Sequence, residues 1–447
     1  MAYDVLVAGA GVAGLFAAYR LARAGFSVAV VDMKTEDRVG EKVCGDAVGE
    51  HHFHEVGLEP PRVGVDAIAE FRGVKVYSPS KKAFVTVHGK GYALDRKAFG
   101  QRLLRLATGA GAEFLGGRFI MKPLVEESWV RGLVVRGPGG IEELRSRVVV
   151  EATGAPAAVR TKLPREWWVS EPLKKEDINS TYRVIAEVDE PQDPRYAIIY
   201  LDAEVAPGGY WWWFPKGEHV VNVGLGVRPD PGAPNPKENL YKYVMPELEK
   251  AGAKVVHKGG GIVPTRRPLS CMVWNGLVAV GDAACTANPI HGGGIGPALV
   301  SSFHAASTIA QALEKGEATL EALWPYHKAY IGAYGEKQAR LDALRIFLQS
   351  LSNDDLNFVL EKGIVSDEDL GDIGYEARLS AKLIGRLLRG LKLLARPTLL
   401  RDIVAVKDYM EAAARLYREF PDTPKDFPQW RERQESLFLE MKKRFWG

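Results

Sequence analysis

The sequence predicts an α/β fold in which a parallel sheet is interleaved along the chain with an antiparallel sheet and followed by helices. Three observations predict it. The apolar run Val5-Leu6-Val7 passes through a glycine-rich turn into an alanine-rich helix, as in a βαβ unit. Residues 161–261 contain alternating apolar segments between Gly and Pro turns, which is typical of antiparallel strands. From residue 341 onward the apolar residues recur at helical spacing.

The composition indicates a multidomain protein that does not bind nucleic acid. The chain has 447 residues and a net charge of +3, which is too small for a nucleic-acid-binding surface. No apolar stretch approaches the roughly 18 residues of a membrane span, and a strand follows Met1 too closely for a signal peptide. We therefore expect a cytoplasmic protein. Asn and Gln are scarce while Lys, Arg and Glu are abundant, which favours a thermophilic source.

The turn after the first strand has the spacing of a dinucleotide-binding motif. Gly9, Gly11 and Gly14 form the pattern G-x-G-x-x-G. Ala13 lies inside it, and Asp32 ends the next strand. The first glycine makes the tight turn, the second lets the backbone approach a pyrophosphate, and the third lets the helix pack on the strand. The acid accepts hydrogen bonds from ribose hydroxyls, so the sequence predicts a Rossmann-type dinucleotide site.

Later segments favour a flavin dinucleotide. Residues 148–154 form a buried strand and a small-residue turn, and residues 277–284 bring Asp282 to where it can bind ribityl hydroxyls. A helix follows, and its predicted cofactor contacts are Pro289, Gly293, Gly294 and Ile295. Amides at that helix N-terminus can face the negative charge of a reduced flavin ring. FAD is therefore the expected cofactor.

These motifs resemble those of the p-hydroxybenzoate hydroxylase superfamily of FAD enzymes. The resemblance extends to residues 94–104. It implies that Arg102 reaches the polar side of the flavin. Asp95, independently of the resemblance, has the position of a helix N-cap.

Within that superfamily the sequence is most similar to the archaeal geranylgeranyl reductases. Residues 38–47, 207–215 and 264–268 carry the similarity, which runs nearly from end to end. Those enzymes use FAD to saturate the isoprenoid chains of membrane lipids. The resemblance implies that Cys44, Gly45 and Ala47 lie close to the flavin.

The aromatic strand at residues 210–214 suits this chemistry. An isolated alkene has no carbonyl to accept electrons, so hydride adds to one carbon only as a proton reaches the other, which gains cationic character. Alternation along a strand places Tyr210, Trp212 and Phe214 on one face. The resemblance favours this face as the substrate-binding one, and Trp211 and Trp213 are expected to serve packing.

The sequence leaves the proton donor open. Cys44 is a catalytic candidate because a thiol is protonated near neutral pH, although it is a weak acid for an alkene. His291 and an ordered water molecule are the alternatives. Cys271 is expected in the core and Cys285 in a tight loop, and three cysteines form no disulfide framework.

We expect no metal site. His51, His52 and His54 have no further ligands at the spacing of a zinc finger or a catalytic zinc site. Arg266 and Arg267 are interpreted as anchors between the antiparallel sheet and the cofactor domain, in preference to a site for a lipid phosphate.

The chain order predicts interleaved domains. Residues 1–75, 93–160 and 262–340 form the FAD-binding domain, residues 76–92 and 161–261 the substrate-binding sheet, and residues 341–447 a helical domain. Residues 378–396 have one basic and one apolar face. We favour a helix packed on the domain, and peripheral contact with the inner face of the membrane is the alternative.

The predicted function is FAD-dependent reduction of isolated double bonds in the geranylgeranyl chains of archaeal membrane lipid precursors. An FAD-dependent hydroxylase or halogenase is one alternative, and a non-catalytic protein that binds flavin and lipid is another. The chain has no second G-x-G-x-x-G for a nicotinamide nucleotide. The sequence does not decide between two electron donors, transiently bound NAD(P)H and ferredoxin.

Overall fold

The computed structural model describes residues 2–379 and 396–447, which form two large sheets and a set of helices. The strands are, in chain order, β1 (Ala2–Ala8), β2 (Val28–Val31), β3 (Ala47–Gly49), β4 (Ala67–Tyr77), β5 (Phe84–Leu94), β6 (Glu113–Leu115), β7 (Phe119–Glu126), β8 (Trp129–Gly137), β9 (Gly140–Glu151), β10 (Ile178–Glu187), β11 (Tyr196–Tyr200), β12 (Trp211–Pro215), β13 (Val220–Val227), β14 (Lys254–Pro264), β15 (Val273–Trp274) and β16 (Leu277–Ala279).

The helices lie between these strands and after them. They are α1 (Val12–Arg23), α2 (His51–Glu55), α3 (Arg96–Gly109), α4 (Pro236–Asn239), α5 (Met245–Lys250), α6 (Ile295–Lys315), α7 (Leu320–Leu323), α8 (Pro325–Tyr330), α9 (Glu336–Leu348), α10 (Asn353–Glu361), α11 (Asp367–Glu376), α12 (Pro397–Arg418) and α13 (Phe427–Trp446).

The first sheet contains the parallel core predicted from the glycine motif. Its order is β15-β16-β9-β1-β2-β6, and β7 and β8 extend it as an antiparallel hairpin on β9. Strand β1 lies between β2 and β9, with Val7 opposite Val30 and Val150. The carboxyl ends of β1, β9 and β16 are neighbours in this order. In open α/β sheets ligands bind at that edge, so the fold places a site there.

The second sheet is antiparallel apart from one parallel pair. Its order is β14-β10-β13-β12-β11-β4-β5-β3, and the parallel pair is β11 with β4. Strand β3 and most of β4 lie within residues 1–75, which the sequence assigned to the FAD-binding domain. Both strands nevertheless belong to the second sheet. The chain therefore leaves the first sheet directly after β2 and returns to it through α3 and β6.

Local signals explain several helix starts. The carboxylate of Asp95 accepts a hydrogen bond of 2.9 Å from the amide of Ala98, so the predicted N-cap of α3 is confirmed. Ser352 and Asp355 form a capping box at α10. The predicted C-terminal helices are also confirmed. The indole nitrogen of Trp446 in α13 donates to the carbonyl oxygen of Ile346 in α9 at 2.9 Å.

Buried ion pairs join the segment after β14 to the segment before β10 and to α9. Arg266 lies 2.8 Å from Glu171, and Arg267 lies 3.2 Å from Asp342 in α9. Both arginines are almost fully buried, as expected of anchors between the domains. In the ranges 2–379 and 396–447 no helix is long and apolar enough to cross a membrane. Most of the amphipathic segment 378–396 lies outside the described residues.

Candidate flavin and substrate site

Close backbone contacts build the glycine turn at the end of β1. Gly9 has a φ of +106°, a conformation that favours glycine. A Cβ on Gly14 would lie 1.9 Å from the carbonyl oxygen of Gly9, so only glycine lets α1 pack this closely on β1. A Cβ on Gly11 would meet no atom within 4 Å. The backbone of Gly11 therefore faces open space at the start of α1, as a pyrophosphate cradle requires.

Asp32 is fixed beside this turn by two amides. Its Oδ2 accepts from the amide of Ala10 at 2.7 Å, and its Oδ1 accepts from the amide of Lys34 at 2.8 Å. The side chain is part-buried, and each carboxylate oxygen keeps a lone pair for a further donor. This is the placement expected of an acid that binds ribose hydroxyls.

The loop after β16 comes to the same edge of the sheet. A Cβ on Gly281 would lie 2.8 Å from the Cβ of Ala13, and a Cβ on Gly294 would lie 2.8 Å from Oδ1 of Asp282. Pro289 is buried in the loop that leads to α6, which begins at Ile295. The N-cap residue is Gly294, which has no side chain to cap the helix. Its first amides therefore lie beside Asp282, where the predicted flavin contacts converge.

Arg96 is a further cationic group that the sequence analysis missed. Its side chain is 11% exposed, and its nearest carboxylate oxygen, on Asp46, is 4.0 Å away. Its Nε and Nη1 find no hydrogen-bond partner within the described part of the chain. Desolvation by burial lowers the pKa of Lys34, and the positive charges of Lys42 and Arg96 act in the same direction. An arginine in the first turn of a helix looks solvent-exposed in a sequence, which is why it escaped notice.

These residues fit a flavin dinucleotide. A buried guanidinium with free donors suits a phosphate group, and it complements the open backbone of Gly11. Asp32 and Asp282 stay the predicted acceptors for the sugar and ribityl hydroxyls.

Arg102 makes structural contacts. Its Nη1 donates to Asp66 at 2.7 Å, and its Nη2 donates to the carbonyl oxygen of Glu59 at 2.6 Å. The guanidinium thereby holds the loop between α2 and β4 against α3. A contact between Arg102 and the flavin stays a prediction.

The Cys44 segment is held by a polar cluster that the sequence did not reveal. Asp46 is buried with a φ of +66°, and its Oδ2 accepts from Lys216 at 2.6 Å and from Asn222 at 3.2 Å. The same Asn222 amide donates to the carbonyl oxygen of Cys44 at 2.8 Å. The Cys44 Sγ accepts from the amide of Asp46 at 3.3 Å. These bonds fix the thiol in place, and they join residues 44–46 to residues 216–222, two distant parts of the chain.

The aromatic strand β12 turns one face toward this segment. A Cβ on Gly45 would lie 3.2 Å from the Phe214 ring, so the backbone there runs directly over that ring. The Tyr210 hydroxyl donates to the carbonyl oxygen of His291 at 2.6 Å. The indole of Trp212 donates to Asn222 at 3.1 Å. Ala47, after the turn, begins β3.

The other two tryptophans of β12 point away from the cofactor side. Trp211 stacks on Tyr200 with ring centroids 3.8 Å apart, and the Trp213 indole donates to Gln192 at 2.9 Å. The structure thus separates the two sets as strand alternation predicts. That Tyr210, Trp212 and Phe214 line a substrate cavity stays a prediction.

His291 is a neutral group near neutral pH. Solvent reaches its ring, but the surrounding protein desolvates it and Lys337 and His52 repel a further charge, which lowers the pKa of His291 to about 4. Its Nδ1 accepts from the amide of Gly293 at 3.1 Å, so the proton of the neutral ring is on Nε2.

The remaining cysteines and histidines have other surroundings. Cys271 and Cys285 are buried, the latter with a φ of +57° in a tight turn, as expected. His51, His52 and Glu55 carry possible ligand atoms within 4.8 Å of one another. The sequence spacing did not indicate this group. The expected absence of a metal is not tested by it.

Two family models match the chain. One is described as the geranylgeranyl reductase catalytic domain and matches residues 177–263, and the other, FAD dependent oxidoreductase, matches residues 4–47. A digeranylgeranylglycerophospholipid reductase from Sulfolobus acidocaldarius is 40% identical over 447 residues, which cover 99% of this chain and 98% of that protein. This chain belongs to the digeranylgeranylglycerophospholipid reductase family.

The similarity to other proteins also supports membership of the digeranylgeranylglycerophospholipid reductase family. The Methanothrix thermoacetophila reductase of the same name is 33% identical, and the match covers 87% of this chain and 99% of that protein. A geranylgeranyl bacteriochlorophyll reductase-like structure from Thermoplasma acidophilum has a TM-score of 0.77 at 26% identity, over 91% of this chain and 99% of that one. A mutant of the flavin-dependent brominase Bmp2 has a TM-score of 0.66 at 18% identity, a likeness in fold alone.

The predicted α/β fold, FAD cofactor and oxidoreductase class are confirmed for this member of the digeranylgeranylglycerophospholipid reductase family. The matched catalytic-domain model begins one residue before β10 and ends within β14, so it spans the aromatic strand and Asn222. The matched FAD model spans Gly9 to Ala47.

Proposed function

We propose that this protein is an FAD-dependent reductase that saturates isolated double bonds in the geranylgeranyl chains of archaeal membrane lipid precursors. The similarity to reductases of that name over nearly the full chain supports the substrate class. The observation that carries the reaction is the contact of Gly45 with Phe214, because it brings an apolar aromatic face to the predicted flavin segment.

Reduced FAD, when bound, supplies the hydride for this reaction. The chain itself has to exclude water and tolerate positive charge at the substituted alkene carbon. Trp212 and Phe214 are buried, and the ring centroids of Tyr210, Trp212 and Phe214 follow one another at 6.1 Å. This aromatic row offers electron-rich ring faces, and its one hydroxyl, on Tyr210, is bonded to the carbonyl oxygen of His291. It suits an extended isoprenoid chain.

Cys44 is the proposed proton donor. Its Sγ–H bond breaks as a C–H bond forms at one alkene carbon, hydride adds to the other, and the resulting thiolate regains a proton from solvent. The amide of Asp46, 3.3 Å from Sγ, stabilises the developing negative charge on sulfur. His291 is less suitable, because a pKa of about 4 leaves it without an imidazolium proton at neutral pH.

The halogenase alternative requires a lysine free to act above the flavin. The buried lysine beside Cys44 is Lys216, whose ammonium group donates to Asp46 at 2.6 Å and to the carbonyl oxygen of Leu94 at 3.1 Å. It is thereby committed to holding the Cys44 segment. No observation specific to this site favours halogenation or hydroxylation.

Mass spectrometry after parallel anaerobic and aerobic incubations tests the proposal. The chemically reduced holoprotein is mixed with a digeranylgeranyl glycerophospholipid, and the expected product gains two hydrogens for each bond saturated. A gain of oxygen or halogen in aerobic reactions would support the alternative enzyme class. An unchanged lipid that nevertheless binds the protein would support the non-catalytic alternative.

The electron donor and the membrane contact belong to the same proposal. NAD(P)H or a reduced ferredoxin would deliver the electrons, and anaerobic bleaching of the flavin absorbance by each donor separates the two. Peripheral contact with the inner membrane face would give access to lipid substrates. Sedimentation with anionic lipid vesicles tests it.

A further inference from the structure

A buried arginine of the second sheet, Arg183, has no part in the reaction as described above. It lies in β10, and only 4% of its surface is exposed. Its Nε finds no hydrogen-bond partner in the described part of the chain. Desolvating a guanidinium costs free energy that an apolar side chain of similar size would not cost. This cost favours a functional role for the arginine.

His257 of β14 orients the guanidinium. Nη1 of Arg183 donates to Nδ1 of His257 at 2.8 Å. A guanidinium has only donors, so the imidazole nitrogen accepts and the ring is neutral. The bond therefore holds the guanidinium without neutralising its charge.

The register of the second sheet places Arg183 on the same face as the aromatic row. Directly paired residues of neighbouring strands carry their side chains on one face. Trp212 is paired with Gly224 of β13, which is paired with Arg183. On its other side Arg183 is paired with Gly259 of β14. Asn222, two residues from Gly224, shares this face. The backbone of Arg183 is thus two strands, or roughly 10 Å, from that of Trp212.

A glycine lets the arginine and the tryptophan pack against the same position. A Cβ on Gly224 would lie 2.5 Å from Cβ of Arg183 and 2.5 Å from Cζ2 of Trp212. Any other residue at this position would push the two side chains apart. The guanidinium therefore belongs to the predicted substrate face.

The Cys44 segment crosses β10 on this face. A Cβ on Gly259 would lie 2.6 Å from Cγ2 of Val43, so Val43 covers β14. One residue later, the carbonyl oxygen of Cys44 accepts from Asn222 of β13 at 2.8 Å. Strand β10 lies between β14 and β13. The chain from Val43 to Cys44 therefore passes over the part of β10 that carries Arg183.

Charges in this buried region act on one another with little screening by solvent. Desolvation by burial lowers the pKa of Arg183, whereas the negative charges of Asp46 and of a Cys44 thiolate act in the opposite direction. Because the attraction is mutual, a positive Arg183 favours negative charge on the Cys44 sulfur.

We propose that Arg183 stabilises the thiolate that Cys44 becomes when it donates its proton, and that His257 holds the guanidinium in place for this step. The inference rests on the proposed function, since it takes Cys44 as the donor. In that step the S–H bond breaks, the proton forms a C–H bond at one alkene carbon, hydride adds to the other carbon, and the S–H electron pair stays on sulfur. A fixed cation beside sulfur lowers the free energy of the transition state in which this charge develops. Arg183 is a positioning residue that acts through Cys44.

Alkylation of Cys44 in the oxidised holoprotein tests the local charge without lipid or turnover. The same thiolate attacks iodoacetate and iodoacetamide, which are similar in size, but only iodoacetate is an anion. At one fixed pH the ratio of the two rates therefore reports the charge near sulfur. Arg183→Met is expected to lower the iodoacetate-to-iodoacetamide ratio at least about threefold, and Arg183→Lys to keep it within about twofold of the wild type. Peptide mass mapping identifies the Cys44 label, since Cys271 and Cys285 are buried.

Lys258→Met is the matched control. Lys258 is exposed beside His257 in β14, and its pairing with Val184 places it on the opposite face of the sheet. The replacement also removes one positive charge and is expected to leave the alkylation ratio unchanged. His257→Leu is expected to lower the ratio less than Arg183→Met does, because the guanidinium keeps its charge but loses its orientation.

A double-mutant cycle in single-turnover lipid reduction separates a role through Cys44 from a structural role. Arg183→Met is expected to slow reduction about tenfold or more in the otherwise wild-type protein. In the Cys44→Ala background the same replacement is expected to have no further effect, because the charge it stabilises no longer forms. Arg183→Lys is expected to restore most of the rate.

The results that would overturn the assignment are distinct. An unchanged alkylation ratio in Arg183→Met would show that its charge does not act on the Cys44 sulfur. Equal slowing by Arg183→Met in both backgrounds would make the arginine structural, and an unchanged ratio in His257→Leu would remove His257 from the proposal. Failure of the proposed function would appear separately, as a lipid that the wild-type protein leaves unreduced while the alkylation ratio still depends on Arg183.

Discussion

The Tyr210 hydroxyl donates a 2.6 Å hydrogen bond to the carbonyl oxygen of His291. It links the second sheet, through β12, to the loop that begins α6 in the cofactor-binding half. Because the acceptor is a backbone oxygen, the link does not depend on the imidazole of His291. The hydrogen bond therefore connects the aromatic row to the loop that leads into α6.

The two faces of β12 are expected to respond differently to substitution. Trp212→Leu should lower kcat for lipid reduction about tenfold or more, because it removes a ring from the face beside Cys44 and Gly45. Trp211→Leu should leave kcat unchanged and cost about 2 kcal/mol of unfolding free energy, because Trp211 stacks on Tyr200. Steady-state kinetics and thermal unfolding of both variants make the comparison. Equal kcat values would contradict the face assignment.

Cys44→Ala is expected to lower kcat by roughly 100-fold to 10,000-fold, the usual contribution of a positioned proton donor. FAD content should stay that of the wild type, since the stronger contacts of the segment, through the Cys44 carbonyl and the Asp46 carboxylate, do not involve sulfur. The measurement is single-turnover lipid reduction by the chemically reduced protein.

Cys271→Ala is the matched control for that variant. Cys271 is buried away from the site, where its Sγ contacts the carbonyl oxygen of Val273 at 3.2 Å. We expect an unchanged kcat and a small loss of stability. Full activity of Cys44→Ala would leave ordered water as the donor.

Substitutions of two glycines in the same motif should have different effects, one on stability and the other on FAD binding. Gly14→Ala places a methyl group against the carbonyl oxygen of Gly9, so it should destabilise the fold by roughly 3 kcal/mol or more. Gly11→Ala meets open space, so the protein should fold normally but bind FAD weakly. Thermal unfolding and the flavin absorbance of the purified proteins distinguish the two. Normal FAD content in Gly11→Ala would argue against a pyrophosphate at that turn.

Acid should unfold the protein partly through Glu171. Burial alone would raise its pKa, but Arg266 at 2.8 Å, with Ser270, outweighs burial and lowers the pKa of Glu171 from 4.5 to about 2. A depressed pKa in the folded state stabilises the protein above the unfolded value, and this stabilisation is lost as pH falls from 4.5 toward 2. Unfolding free energy measured across this window should therefore decrease.

The variant Glu171→Gln tests the source of that decrease. It leaves Arg266 without its closest carboxylate, so we expect a loss of about 3–5 kcal/mol at neutral pH. The slope of stability against pH should also be smaller between pH 4.5 and 2 than in the wild type. An unchanged slope would assign the acid sensitivity to Asp177, whose pKa is also lowered by Arg266 and Arg345 despite burial.

Much of the cofactor side of the site was visible in the sequence, because its elements are local. The spacing of Gly9, Gly11 and Gly14 reports a turn and a helix start within a few residues, and strand alternation assigns the two faces of β12. The polar support of Cys44 was not visible. Asp46, Lys216 and Asn222 meet there only because β12 and β13 pack against the turn before β3.

Sequence alone thus determined the βαβ unit, the likeness to an FAD-dependent reductase family and the composition of the aromatic row, since each depends on short-range spacing. Only the tertiary structure decided which charged side chains are buried and which residues distant in the sequence come into contact. It left Nε and Nη1 of the buried Arg96 without a hydrogen bond among the described residues, used Arg102 in an ion pair with Asp66, and placed the His52 ring against the edge of Tyr334. The physical reason is that burial and through-space electrostatics depend on long-range packing, which residue spacing along a chain does not encode.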